Sequence, residues 1–223
     1  MKRVIQSAIA AVTLLSSAAF AQQTLLQEIT ESGELRACFD AGYMPFEMKA
    51  KNGQFIGFDI DLGKQMARAM GVKYVPVNTA WDGIIPALLT NKCDILIGGM
   101  TVTSPRNLKV NFADPYIVVG QSLLIKPSLK GSVKSYRDLN SPNFTIAAKL
   151  GTSGEIAARK MLPKADIRVF ESEAEGALEV ANGQADALVY DFPSNAIFSA
   201  QNKGRVIHLA KPFTYAPLGW ANP

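Results

Sequence analysis

The stretch Asp82-Gly-Ile-Ile-Pro-Ala-Leu-Leu-Thr90-Asn-Lys-Cys-Asp94-Ile-Leu-Ile-Gly98 decides the fold. Asp82 to Thr90 reads as a helix, a polar turn follows, and Asp94 to Gly98 is a short run with the apolar density of a buried strand. The second half repeats the arrangement: Ala87-Leu88, Asn91, Asp94 and Leu96 recur as Ala177-Leu178, Asn182, Asp186 and Leu188. In each case a helix ends, the chain turns, and a strand dives inward. A short match is weak evidence of duplication by itself.

Outward from that stretch the alternation continues. Strands are expected at Leu35–Phe39 and Lys73–Val77, a hairpin around Phe46–Ile56, and a helix over Asp61–Met70 that Gly71 ends. The second cycle has strands near Ser122–Lys126 and at Phe144–Lys149, Asp166–Phe170 and Ala185–Tyr190, with helices over Ser153–Leu162 and Glu173–Asn182. Strands alternating with helices define an α/β chain whose parallel sheets carry helices on their faces.

Lys2 and Arg3, an apolar run from Val4 to about Leu15, and Ala19-Phe-Ala21 read as a cleavable signal peptide over residues 1–21. The apolar run falls short of the ~20 residues that a spanning helix needs. Cys is absent from the cleavage point, which argues against a lipid anchor. The remaining chain is large enough to bury a core, at 48% hydrophobic and 19% charged residues. Its formal charge of +4 falls to +2 once Lys2 and Arg3 leave. No basic stripe interleaved with aromatics accompanies that charge, so nucleic acid is not an expected partner.

Cys38 and Cys93 are the only cysteines, and export favours pairing them. The strand reading predicts otherwise. Cys38 falls late in its strand and Cys93 at the start of the next. Several residues of offset at ~3.3 Å each exceed the ~7 Å Cα limit of a bridge. Two buried thiols are therefore expected, and a gain of two hydrogens on reduction of the unfolded protein would refute them.

Arg106 and Asp191 each follow a short buried strand, one in each half. Ser104-Pro105-Arg106 reads as a helix start, with Ser104 as N-cap. A cation there opposes the helix dipole by ~0.3–1 kcal/mol, so Arg106 is either a solvated surface residue or the holder of a carboxylate. Asp191 either begins a helix opened by Pro193 or offers its carboxylate to an ammonium at the carboxyl end of a strand, where open α/β sheets place ligands. Asp40-Ala-Gly-Tyr43-Met-Pro45-Phe46-Glu47 and Trp81 put an acid and two aromatic rings at strand ends, as packing or as the wall of a cleft. Thr152 and Glu155 in Lys149-Leu-Gly151-Thr152-Ser153-Gly154-Glu155 have capping-box spacing, and the same turn could touch an anion. Nucleotide fingerprints, nucleophile elbows and metal-ligand spacings do not occur, and His208, the only histidine, reads as a surface residue. No cofactor and no metal are expected.

The chain resembles the bacterial extracellular solute-binding proteins of the polar amino acid type, the periplasmic components of ABC importers. Asp40-x-x-Tyr43-x-Pro-Phe46, Gly57-Phe-Asp59-Ile-Asp61, Trp81-Asp-Gly-Ile-Ile-Pro-Ala-Leu88, Gly99-Met-Thr101-Val-Thr103-x-x-Arg106, Phe112-Ala-Asp114-Pro-Tyr116 and Asp138-Leu139 carry the resemblance. It implies a type II periplasmic-binding-protein-like fold: lobe 1 over 22–115, a first hinge crossing at 116–120, lobe 2 over 121–214, and a second crossing at 215–218. Residues 219–223 would begin the return to lobe 1. The resemblance implies further residues beyond them, so a truncated first lobe is expected.

By similarity, Arg106 takes an amino acid α-carboxylate with the N–H of Thr103 and the turn at Thr152 and Ser153. Asp191, the Gly99 carbonyl and the Thr101 hydroxyl take the α-ammonium. Tyr43 and Trp81 wall the bound side chain, and Asp40 and Lys149 are its candidate selectors. The implied function is non-enzymatic: a periplasmic monomer that captures a free polar amino acid and delivers it to an ABC permease. The rival is a dehydratase of the cyclohexadienyl type on the same scaffold, which eliminates water and carbon dioxide from prephenate or arogenate and needs a general acid, Glu155 or Glu173. A sensor domain of the same fold is a third reading.

Overall fold

The computed structural model describes residues 23–223, so the expected signal peptide lies outside the described residues. Leu25–Ser32 (α1) opens the chain, followed by Glu34–Phe39 (β1) and the hairpin Met48–Lys49 (β2) with Phe55–Ile56 (β3). Phe58–Ala69 (α2), Lys73–Asn78 (β4), Ile84–Leu89 (α3) and Ile95–Leu96 (β5) complete the first cycle. Ser104–Asn107 (α4), Asn111–Phe112 (β6) and Ile117–Val119 (β7) lead into Gln121–Ile125 (β8). The second cycle is Thr145–Lys149 (β9), Ser153–Met161 (α5), Asp166–Phe170 (β10), Glu173–Ala181 (α6) and Ala187–Asp191 (β11). Phe192–Gln201 (α7), Ile207–Leu209 (β12), Ala216–Leu218 (β13) and Ala221–Asn222 (β14) end the chain.

These strands form two five-stranded sheets, ordered β4-β1-β5-β14-β6 and β10-β9-β11-β8-β12. In both, the first strand of the cycle lies second in the order, flanked by two later strands of the same cycle that run parallel to it. The molecule is thus α/β with two sheet-containing lobes, and β7 and β13 pair antiparallel as a separate ribbon. The sequence echo has a physical cause. Asp94 accepts the Arg36 N–H at 2.7 Å and Asp186 accepts the Thr145 N–H at 2.7 Å, each in the first half of the cycle's first strand. Each acid is also paired, Asp94 with Arg36 and Asp186 with Lys126. The echo breaks at its first leucine: Leu88 is buried, whereas Leu178 is exposed.

Helix α2 starts three residues before the expected Asp61, because Gly57 turns the chain at φ 134°. A Cβ at Gly57 would lie 2.2 Å from the Phe46 carbonyl oxygen, so only glycine fits. The early start places Asp59 in the first turn, fully buried.

Two expectations are corrected. Cys38 and Cys93 form a disulfide with Cα atoms 5.7 Å apart. The offset argument assumed that Cys93 lies in the plane of an extended strand, but β5 begins only at Ile95. Cys93 belongs to the turn after α3, where Asn91 adopts φ 57°, and it packs with Cys38 among Ile84, Ala87 and Leu88 on one face of the sheet. His208, in turn, is not a solvated surface side chain. It is half-buried on β12, bonded to the Ser122 hydroxyl at 2.9 Å.

Candidate functional site

The ends of β1, β5, β9 and β11 converge between the lobes. Asp40, Tyr43, Trp81, Gly99 and Thr101 line one side of a cavity there, and Lys149, Thr152, Ser153 and Asp191 line the other. The lobes lie close, leaving a cavity of ≈ 20 Å³, about the space of one water. Nine of the eleven residues singled out from sequence meet in this place. Arg106 and Thr103 do not line it.

Arg106 faces an adjoining opening beside Trp81 and Gly151. It is buried, and its guanidinium donates to the carbonyls of Thr101 at 2.8 Å and Gly151 at 3.1 Å, bridging the lobes. Its carbon centre stands 5.5 Å from the Trp81 ring centroid. None of the ion pairs among the described residues includes Arg106. Burial lowers its pKa to about 10, with Asp191 opposing the drop. The helix-dipole reading of this arginine is corrected: α4 is a single turn with Thr103 rather than Ser104 at its N-cap position and no side-chain capping bond, too short for a sizeable dipole.

Asp191 closes β11 and is buried. Its two oxygens accept from Tyr43 Oη at 2.7 Å and Gln121 Nε2 at 2.5 Å. Burial raises its pKa to about 6, and those two hydrogen bonds and Arg106 hold it from going further. Tyr43 reaches it from the other lobe, and Gly99 makes room for that ring. At φ 60°, a Cβ on Gly99 would lie 2.2 Å from the Tyr43 ring. The Gly99 N–H donates to Asp59 Oδ2 at 2.9 Å, and Tyr116 Oη donates to the same oxygen at 2.7 Å. Asp59 thus fixes the Gly99 turn and the chain entering β7 through one carboxylate, whose pKa burial raises to about 6.

Thr152 is committed to the start of α5. Its hydroxyl donates to the Lys149 carbonyl at 2.7 Å and accepts from Glu155 N. The expected capping box is displaced by one residue, since the Glu155 carboxylate takes the Gly151 N–H at 2.7 Å rather than the Thr152 N–H. Thr101 and Ser153 meet hydroxyl to hydroxyl across the lobes at 2.9 Å. Lys149 and Asp40 also meet across them, Nζ to Oδ2 at 2.6 Å.

Three functional-looking residues escaped the sequence reading. Gln121, bonded to both Asp191 and Ser153, sits directly opposite Asp191 in the β8–β11 register. A polar residue opening an apolar strand was the available signal. Glu47 lines the cavity fully buried, with no donor to either oxygen among the described residues. Burial, and then the neighbouring Asp59, push its carboxyl well above the usual range, and the neutral acid can donate to Asp59. Tyr190 lines the same cavity and stacks edge-on against Tyr43 at 5.7 Å.

The family "Bacterial extracellular solute-binding proteins, family 3" matches residues 35–189. Among solved structures, a protein assigned as the binding component of an ABC transporter from Wolinella succinogenes, complexed with lysine, superposes with a TM-score of 0.81. It is 53% identical, with 85% of this chain and 82% of that one covered. A glutamine-binding protein of an ABC transporter from Bacillus subtilis is 35% identical over 180 residues, 76% of this chain and 62% of its own length. The cyclohexadienyl dehydratase of Pseudomonas aeruginosa is 28% identical over 218 residues, 97% of this chain and 81% of the enzyme.

Proposed function

From a chain that belongs to the bacterial extracellular solute-binding proteins of family 3, we propose a periplasmic protein that captures a free amino acid between its lobes and hands it to an ABC permease. One observation carries the reading. A buried guanidinium without a salt bridge and a buried carboxylate held only by neutral donors sit on opposite lobes. Arg106 retains donors for an α-carboxylate after its two carbonyl contacts. Asp191, beside the Thr101 hydroxyl and the Gly99 carbonyl, supplies the complement for an α-ammonium. Lobe 1 over 22–115 and lobe 2 over 121–214 would close about the crossings at 116–120 and 215–218, where β7 and β13 pair. Export through the leader at 1–21 and action as a monomer complete the proposal. Calorimetric titration with the twenty amino acids tests it: micromolar binding by at least one is expected, and none by any of them overturns it.

Affinity should depend on pH through Asp191. An ammonium pairs with the ionised form, and burial holds its pKa at about 6 before the ligand arrives. Below that value each bound ligand must expel a proton, so the dissociation constant at pH 5 should be about tenfold weaker than at pH 7. Asp191→Asn should bind weakly with a much flatter profile. An unchanged slope in that variant would assign the titration to another group.

A second reading, a cyclohexadienyl dehydratase-like enzyme, is favoured by one residue. Glu173 is 3% exposed, and burial raises its pKa to about 7, opposed by Ser194 and Lys149. Such a carboxyl keeps a proton available at neutral pH. Glu155 is not a comparable candidate, because its carboxylate is tied to Gly151 N and Arg159. Prephenate lacks the amine that Asp191 suits, which places this reading second. Phenylpyruvate appearing from prephenate, and lost in Glu173→Gln, would establish the enzyme.

A further inference from the structure

Two buried carboxyls of the first lobe converge on the turn that faces the cleft. Asp59 takes the Gly99 N–H at 2.9 Å and the Tyr116 hydroxyl at 2.7 Å, both on Oδ2. Glu47 lies over the preceding residue, its Oε1 3.3 Å from where a Cβ on Gly98 would stand. The backbone holds the two acids together, since the Asp59 N–H donates to the Phe46 carbonyl at 2.9 Å. Their carboxyls are within hydrogen-bond reach of each other.

Both side chains are fully buried. Of their four oxygens, Glu47 Oε1 and Oε2 and Asp59 Oδ1 have no donor among the described residues. Two ionised carboxylates are not stable side by side in such a place without a cation. The groups facing the pair supply none to spare. Tyr43, Tyr74, Tyr116 and Tyr190 surround it as neutral phenols. The charged groups that act on Glu47 besides Asp59 are Lys149 and Asp40, and those two are paired with each other at 2.6 Å.

One hydrogen resolves the set. A protonated carboxyl is a donor as well as an acceptor, and Asp59 Oδ1 is the acceptor left over. Asp59 already receives two donors, which favour its ionised form, whereas Glu47 receives none. The proton therefore belongs on Glu47.

We infer that Glu47 and Asp59 share one proton and that it positions the cleft: the Glu47 O–H donates to Asp59 Oδ1, leaving Oδ2 of an ionised Asp59 to hold the Gly99 turn and the Tyr116 hydroxyl together. Gly99 offers its carbonyl to the ligand and Tyr116 opens the proposed first crossing, so a single hydrogen ties a contact surface to the hinge. Glu47 is a positioning residue that acts through Asp59. The positioning role rests on the amino-acid-binding reading of the cleft, whereas the shared proton stands without it.

A carboxyl of the unfolded chain ionises near pH 4.3. At neutral pH folding therefore takes up this proton, and stability falls as pH rises until the folded pair releases it. Glutamine at position 47 carries its donor permanently and takes up no proton. Denaturant unfolding of the full chain at pH 6 and pH 8 reads the difference: the wild-type unfolding constant should rise at least about tenfold more over that interval than that of Glu47→Gln. A glutamate with a purely structural role would shift both pH values alike. Titration of lysine, arginine and glutamine at pH 7 reads the positioning. Whichever binds should bind Glu47→Met, which fills the space without a donor, at least about fivefold more weakly than Glu47→Gln.

Should Glu47→Gln fail to fold, the infrared carbonyl band of a protonated carboxyl in the wild-type protein at pH 8 decides instead, and its absence overturns the inference. Should Glu47→Met fail to fold, Tyr116→Phe replaces it, with a fivefold loss against the wild type expected because Asp59 then holds Gly99 alone. Equal pH responses in the wild type and Glu47→Gln overturn the shared proton. Equal affinities in Glu47→Met and Glu47→Gln overturn the positioning role alone. An absence of binding by any amino acid overturns the parent reading and the positioning role with it, while the unfolding measurements still judge the proton.

Discussion

Arg106→Met is expected to weaken amino acid binding by at least about a hundredfold while leaving the protein folded. A hydrogen bond to a charged group is worth about 1.5–3 kcal/mol, and a bidentate carboxylate contact uses two, so a loss near 3 kcal/mol or more is the expected scale. The fold should survive because the guanidinium's own contacts are two neutral carbonyls and a ring face. Methionine keeps most of the stem volume, and it relieves the burial of a charge that already depresses the pKa to about 10. A second readout follows from the neighbouring acid. Arg106 is one of the influences holding down the proton affinity of Asp191. The pH below which residual binding fades should therefore move upward in the variant. Arg106→Lys keeps the charge but not the planar fork, and should fall between the two. Calorimetry that places Arg106→Met within threefold of the wild-type affinity would remove Arg106 from the ligand contacts.

Much of this arrangement was legible because it follows from local rules. The βαβ rhythm, the ends of most strands, and the placing of Asp40, Trp81, Lys149 and Asp191 at or shortly after those ends need only periodicity and the tendency of α/β sheets to open their ligand side at strand termini. The departures required three-dimensional information. Gly57 fell between the expected hairpin and the expected helix, yet the Phe46 carbonyl packed against its Cα makes it a turn and sends Asp59 inward. Gln121 becomes notable only when the β8–β11 register sets it opposite Asp191. Arg106 was read as a clash with a helix dipole, and the relevant fact is that it is buried without a carboxylate, a property of packing and not of spacing. Asp40 and Lys149 pointed to opposite ligand charges as isolated residues. Their pairing across the lobes turns that conflict into one site.

Removing the Cys38–Cys93 bridge should cost the most stability of any change considered, about 4 kcal/mol. The bridge joins positions 55 residues apart, and closing a loop of that length restricts the unfolded chain by roughly this amount. The linkage also lies where little else substitutes for it. β5 is only two residues long, and the chain runs from there through Gly98 and Gly99 into Thr101, so the disulfide anchors the root of the turn that lines the cleft. Both sulfurs are buried against Ile84, Ala87 and Leu88. Cys38→Ala/Cys93→Ala should therefore lose packing as well as the constraint, while reduction of the wild-type chain isolates the constraint. At about 2–4 °C per kcal/mol for a chain of this size, either change should lower the melting temperature by about 10 °C or more. If the first lobe loosens before the second, amino acid affinity should weaken in parallel, because part of the binding energy must then restore the Gly99 turn. The mass of the unfolded protein should rise by two hydrogens on reduction. An unchanged mass, or a melting temperature indifferent to reductant, would show that the thiols are not joined and would return the stability of this lobe to its sheet and core.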